Sequence, residues 1–141
     1  MLQQDSRLSF KKIADKTGIS IPTAFNRVRK LESNGVLKGY TVKLDSVKLG
    51  YDLTMVTLVQ VEGEHLTEIE DEISKVPNVL AIYDLMGEYD AAIISRFKDK
   101  ESLNAFRKNV LASPHVRRAL SNIVSSIVKE DLKISLLNGR D

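Results

Sequence analysis

The stretch Ser9–Gly39, SFKKIADKTGISIPTAFNRVRKLESNGVLKG, decides how the rest of the chain is read. Ser9 is a favoured N-cap residue and predicts a helix running to about Lys16. Thr17-Gly18-Ile19 predicts a tight turn, because Gly18 is free to take the left-handed conformation that ends a helix. Ser20 caps a second helix to about Asn34, and Gly35 is its stop. Ile13 and Ala14 on the first helix, with Ala24, Val28 and Leu31 on the second, are expected to form the apolar seam between them. The pattern is a helix-turn-helix, whose second helix is the one that enters a DNA major groove.

A helical wheel at ~100° per residue, with Ala24 inward, puts Pro22, Phe25, Asn26, Arg29 and Lys30 opposite or flanking the seam. That face offers an amide, two cations and an aromatic ring. Asn26 suits adenine, an arginine suits guanine or phosphate, and Phe25 suits a thymine methyl. Pro22 sits in the first turn, where its missing N–H does no harm, leaving the Thr23 N–H as partner for the Ser20 cap. Helical hairpins with a solvated polar face are common, so these residues alone leave DNA binding open.

Charge favours the DNA reading. Residues 1–50 carry 10 Lys/Arg against 4 Asp/Glu, and residues 51–141 carry 11 against 15, so the formal net charge of +2 hides a basic first third. Such a footprint suits phosphate. Lys11 and Lys12 stand in the first helical turn, where the macrodipole disfavours cations and a phosphate would relieve the conflict. Val36–Leu44 alternates as VLKGYTVKL, predicting a two-stranded wing that turns at Gly39, with Lys38 and Lys43 placed to reach phosphate.

Residues 45–52 (DSVKLGYD) are the least regular stretch and the expected hinge. Beyond them the pattern predicts a strand at Leu53–Glu62, a helix at Leu66–Val76, strands at Val79–Met86 and Asp90–Phe97, a helix capped by Asp99 to about Ala112, and a strand at Val116–Lys129. A further short strand is expected over Asp131–Leu137. The order β-α-β-β-α-β is the ferredoxin-like plan, one sheet with both helices on one face. The fold class is therefore α+β, a winged helix-turn-helix (1–44) joined through the hinge (45–52) to a ferredoxin-like domain (53–141). The strands MVTLVQV, VLAIYDLM and AAIISRF are apolar on both faces, which two short helices cannot cover, so a homodimer is expected.

The turn Gly87-Glu88-Tyr89-Asp90 is the candidate small-molecule site. Its glycine exposes backbone N–H groups and its carboxylates can receive an ammonium, a combination suited to an amino acid, although a plain hairpin turn would look the same. Glu64, Glu68 and Glu72 share one helix face and read as a solvated surface. His65 and His115 lie near helix ends without a ligand-spaced partner, so no metal is expected. Arg117-Arg118 suggests surface or interface ion pairs. No catalytic set and no Gly-rich phosphate loop is visible, which argues against an enzyme. With no cysteine, 43% hydrophobic and 28% charged residues, and no long apolar run, the sequence reads as a soluble, cytoplasmic protein without a membrane partner.

The run from Asp5 to Gly50 resembles the winged helix-turn-helix of the Lrp/AsnC (feast/famine) transcription regulators. The matching pieces are Asp5, Arg7, Ile13-Ala14, Gly18-Ile19-Ser20, Arg27-Val28, Leu31-Glu32, Gly35-Val36, Gly39-Tyr40 and Leu49-Gly50. The second half also resembles that family's effector-binding and oligomerisation domain. With the resemblance in support, the expected DNA interface comprises the residues read above from caps, helical phase and charge, Lys11, Lys12, Ser20, Pro22, Thr23, Phe25, Asn26, Arg27, Arg29, Lys30 and Lys38, acting on double-stranded DNA. The resemblance also implies an amino-acid effector held by Gly87, Glu88, Tyr89 and Asp90 at a contact between dimers. Ser121 stands where relatives often offer a hydroxyl, whereas Ala119 stands where a nearby one is missing. Relatives' dimers often assemble into octamers, and no cofactor is implied. Family members usually begin with one more helix before the position of Asp5. Met1–Gln4 looks like its last turn, so a sequence that begins late is expected rather than an incomplete three-helix core. Two other roles fit the residues: an architectural DNA-wrapping protein with little sequence preference, and a ligand-sensing subunit without DNA binding.

Overall fold

The computed structural model describes residues 1–134. They divide into two compact units, one of Met1–Leu44 together with 131–134, the other of Asp45–Glu130.

In the first unit, α1 (Phe10–Thr17) and α2 (Ile21–Ser33) form as their caps dictate. The Ser9 hydroxyl accepts from the Lys12 N–H, and Gly18 ends α1 at φ 68°. The Ser20 hydroxyl accepts from the Thr23 N–H at 3.3 Å, the partner that Pro22 leaves available. Ile13, Ala14, Ala24 and Val28 are buried between the helices, with Leu2, Leu8, Ile19 and Leu37 packed at the edges. Leu31 departs from expectation: it points along the seam yet stays 40% exposed. Its position explains this, since α1 at about 12 Å is much shorter than α2 at about 20 Å, and the last turn of α2 overhangs its partner. Ahead of α1, the Gln4 and Asp5 N–H groups both donate to the Met1 carbonyl, closing one turn.

The expected wing strands do not form. Residues 36–44 carry no strand pairing. Instead the Val36 and Leu37 N–H groups fold back onto the Leu31 carbonyl, and the Tyr40 hydroxyl donates to Glu32 Oε1 at 2.9 Å. A ribbon of two four-residue strands buries too little to hold itself together, and here Val42 and Leu44 remain exposed. The tail strand expected at Asp131–Leu137 is absent over 131–134, and 135–137 lie outside the described residues.

The second unit is a four-stranded antiparallel sheet in the order β2-β3-β1-β4, built from β1 (Leu53–Val61), β2 (Val79–Asp84), β3 (Ala91–Phe97) and β4 (Val116–Ile123). After β1 a single 3-10 turn (Gly63–His65) leads into α3 (Leu66–Ser74), and α4 (Lys100–Ala112) follows β3. Asp99 caps α4 through the Ser102 N–H at 2.7 Å, and that bond holds its carboxyl below the usual range. The six elements of the β-α-β-β-α-β plan all appear, with α3 and β2 each two residues shorter than predicted. β4 shows the largest difference, ending at Ile123 instead of Lys129. It pairs only with β1, antiparallel, and Ile123 already faces Met55 near the start of β1. Past the Val124 N–H bond to the Thr54 carbonyl, β1 has almost no backbone left to pair.

Alternation along β1 and β3 sends Met55, Val59, Val61, Ala91, Ile93 and Phe97 beneath the helices, where Ile69, Ile73, Leu103, Phe106 and Val110 meet them. The polar residues buried among them are satisfied: Thr57 Oγ1 lies 3.1 Å from Ser121 Oγ. Val56, Leu58, Ile94 and Leu120 occupy the opposite face, joined by register across three strands. No helix of the described residues covers them, and Leu120 is 41% exposed. Polar ends flank this strip, where Arg96 bonds Thr54 Oγ1 and pairs with Glu130.

One acid pair joins α3 to β2. Burial, followed by the hydrogen bond and charge of Asp84, pushes the Glu70 carboxyl up to about 7 from its ordinary 4.5. A raised carboxyl pKa means that the folded state holds the proton more tightly than the unfolded one. Its stabilising effect is therefore complete below about pH 4.5 and is lost as pH rises toward 7. Glu70→Gln is expected to stabilise the protein by about 1 kcal/mol at pH 8, after allowance for solvent screening, and to be nearly neutral at pH 4.5. Urea unfolding of both proteins at the two pH values measures this, and an equal effect at both would contradict it.

Candidate nucleic-acid interface and effector loop

α2 carries the first candidate surface. With Ala24 and Val28 committed to the seam, Pro22, Phe25, Asn26, Arg27, Arg29 and Lys30 are all exposed, and Thr23 is half-buried. The face is not uniform. Phe25 meets Phe10 edge-on at 5.2 Å. The Arg29 guanidinium lies over the Phe25 ring at 5.4 Å and 3.4 Å from Glu32 Oε2. Glu32 in turn accepts from Tyr40, whose phenol is raised above its ordinary pKa by that bond. Arg29 and Phe25 are thus held within a local network, whereas Asn26, Arg27 and Lys30 make no side-chain hydrogen bond or ion pair among the described residues. Ser20 and Thr23 spend their side chains on each other, with hydroxyls 2.7 Å apart, as a cap. Lys11 and Lys12 on α1 and Lys38 after α2 are exposed cations on the same unit. The sequence offered no sign of the Phe10–Phe25–Arg29–Glu32–Tyr40 chain, which depends on how the residues after α2 fold back.

The second candidate is the loop between β2 and β3. Gly87 and Glu88 are exposed, and Tyr89 and Asp90 half-buried. Asp90 Oδ2 accepts the Val61 N–H at 2.7 Å, so this carboxylate is engaged with the backbone. Its own N–H bonds the Val59 carbonyl at 2.9 Å. Gln60 Nε2 donates to the Glu88 carbonyl. Arg118 reaches over from β4, 3.5 Å from Glu88 Oε1 and 5.7 Å from the centre of the Tyr89 ring, while Arg117 pairs with Glu62 at 3.1 Å. The loop is a clasped, ordered element resting on the end of β1. Ser121 does not join it. Its register partner is Thr57, two residues from the loop-bonded Val59 along β1, or about 7 Å at strand spacing, and its hydroxyl faces Thr57 instead. Within one chain, no side-chain hydrogen bond among the described residues links Ser121 to the loop.

One pair goes beyond the sequence reading: His65 and His115, without a ligand-spaced partner in sequence, stack with ring centres 3.5 Å apart. The turn before α3 and the approach to β4 end at the same point, a juxtaposition no local spacing reveals.

No helix among the described residues is long and apolar enough to cross a membrane. Residues 53–134 match the family model described as the Lrp/AsnC ligand binding domain, and residues 1–38 match a winged helix-turn-helix DNA-binding model. An uncharacterised HTH-type transcriptional regulator of Pyrococcus abyssi is 39% identical over 134 residues, covering 95% of this chain and 91% of its relative. Among solved structures, an AsnC family transcriptional regulator from Agrobacterium tumefaciens aligns with a TM-score of 0.87 at 26% identity, over 96% of this chain and 90% of that one. A transcriptional regulator from Neisseria meningitidis, solved with L-Met, shares the fold with a TM-score of 0.88 at 22% identity, over the same shares of each chain. These family models and relatives are transcription regulators, not enzymes. The chain belongs to the Lrp/AsnC family of helix-turn-helix transcription regulators.

Proposed function

We propose that this regulator reads DNA as a dimer, with α2 in the major groove, and that an amino acid or related metabolite alters its assembly. The carrying observation is the exposed, unpaired set Asn26, Arg27 and Lys30 on a helix whose opposite side is fixed in a packed seam. Such a helix can offer base-reading groups in a set orientation. Lys11, Lys12 and Lys38 would contact the backbone phosphates, and Arg29 would do so once released from Glu32. The uncovered apolar strip of Val56, Leu58, Ile94 and Leu120 supports pairing of two sheets, and a dimer can place two α2 helices on a pseudo-palindromic site. Residues 45–52 are the proposed hinge, forming a set of turns in which Tyr51 N–H bonds the Ser46 carbonyl at 2.8 Å. A DNA target suits action in the cytoplasm of a prokaryotic cell such as those of its relatives.

The ligand reading rests on the family of the second unit and on the regulator of the same fold solved with L-Met. Gly87 is exposed to an incoming amino acid, and Glu88 would meet one once released from Arg118. Ser121 would contribute if a second copy brought it near the loop. Sedimentation velocity with each amino acid in turn tests this. A dimer or octamer whose size or DNA affinity changes with one amino acid is expected. A monomer would remove the paired-helix reading, and a fixed assembly with fixed DNA affinity would remove the effector.

A further inference from the structure

The chain contains only two histidines. They are 50 positions apart in sequence, yet they stack face to face with centres 3.5 Å apart and planes 13° from parallel. Glu68, three residues beyond His65 on the first turn of α3, brings its Oε2 to 3.3 Å from His65 Nδ1. One donor atom from each of His65, Glu68 and His115 lies within 4.8 Å of the others. We propose that these three side chains form a binding site for a divalent transition-metal ion of the Zn²⁺ class.

The donor chemistry fits such an ion, since two imidazoles and one carboxylate suit Zn²⁺, Co²⁺ or Ni²⁺ rather than Mg²⁺ or Ca²⁺. So do the distances. Tetrahedral ligands on zinc stand about 3.3 Å from one another, given metal–ligand bonds of about 2.0–2.1 Å. The His65–Glu68 separation already matches, and because parallel rings cannot aim their in-plane nitrogen lone pairs at one ion, binding requires one imidazole to rotate out of the stack. The backbone under the site is fixed. The Glu62 N–H donates to the His115 carbonyl at 2.8 Å, and the Glu62 carbonyl accepts from the His65 N–H at 3.4 Å, so one residue ties both histidine-bearing segments together. All three side chains are at least partly exposed, which leaves the ion a route in. Glu68 and His115 also border a groove between α3 and α4 with Glu72 and Asn109. A fourth coordination position would open toward that groove, to water. An occupied site would add a metal link between the start of β4 and the start of α3, two segments that Glu62 already ties together.

The test uses the untagged full chain and Zn²⁺ alone. With two histidines, the imidazole Cε1–H region of an NMR spectrum holds two signals. Both are expected to shift together and saturate at one Zn²⁺ per chain, and Co²⁺ in its place should give the visible absorption of a low-symmetry site. His115→Ala and Glu68→Gln should each weaken Zn²⁺ binding, the histidine variant by more than about 100-fold, above the range for losing an outer-shell partner. Far-UV circular dichroism of each variant shows that the fold is kept. Movement of one histidine signal alone, binding that does not saturate, or equal affinity in wild type and His115→Ala would overturn the site.

Discussion

Phe97→Ala is expected to lower the stability of the second unit by about 3–5 kcal/mol, the range for deleting a large buried aromatic ring. Phe97 is 1% exposed at the end of β3, an interior strand of the sheet. It packs against Phe106 of α4 with ring centres 5.4 Å apart, so its loss opens a cavity between sheet and helix that neither can collapse to fill. Urea unfolding followed by circular dichroism gives the value. The same measurement on Val28→Ala should show a smaller effect, because the helix-turn-helix core has only four buried apolar side chains against eleven in the second unit, among the described residues. A loss below about 1 kcal/mol for Phe97→Ala would mean that the sheet and α4 are not packed as described.

The second large effect concerns DNA. The double variant Asn26→Ala/Arg27→Ala should lose at least about 30-fold in affinity for a specific operator, taking roughly 1 kcal/mol or more for each base-reading contact. Its affinity for random duplex should change far less. Lys11→Ala/Lys12→Ala should behave differently, weakening both duplexes alike and lowering the salt slope by about 0.9 for each phosphate that is no longer neutralised. These two outcomes separate residues that read sequence from residues that hold backbone. If both variants weakened both duplexes equally, the Asn26 and Arg27 side chains would be touching phosphate only. Arg29→Ala should be the mildest of the α2 changes, since its guanidinium is already shared between Phe25 and Glu32.

What the sequence revealed follows the range of the interactions involved. Caps and turns are decided within four residues, so Ser9, Gly18, Ser20 and Asp99 announced their helices correctly. Apolar runs between turn signals marked all four strands of the second unit, and their chain order with the two helices gave the ferredoxin-like plan. Features set by distant partners were not legible. The end of β4 depends on where β1 begins, so the apolar character of Ile127 and Val128 was read as strand when no backbone remained to pair with it. The alternation of Val36–Leu44 had the same form as a strand but no neighbour to hold it. Leu31 had the right helical phase for burial, yet its exposure depends on the length of α1. At the loop, Gly87–Asp90 was recognisable as a turn, but the Asp90 carboxylate proved to be committed to the Val61 N–H. The stacking of His65 on His115 arises from the meeting of two chain segments and left no mark in either one.

Above all, this chain is expected to bind chosen DNA sequences through α2. Fluorescence anisotropy of a labelled duplex from upstream of its own gene, titrated across a salt series with random duplex as competitor, tests that most directly. Binding that survives excess random DNA and weakens steeply and log-linearly with salt is the predicted result. Equal competition by random duplex would instead identify an architectural DNA-wrapping protein, and no salt-sensitive binding to either duplex would contradict the DNA reading altogether.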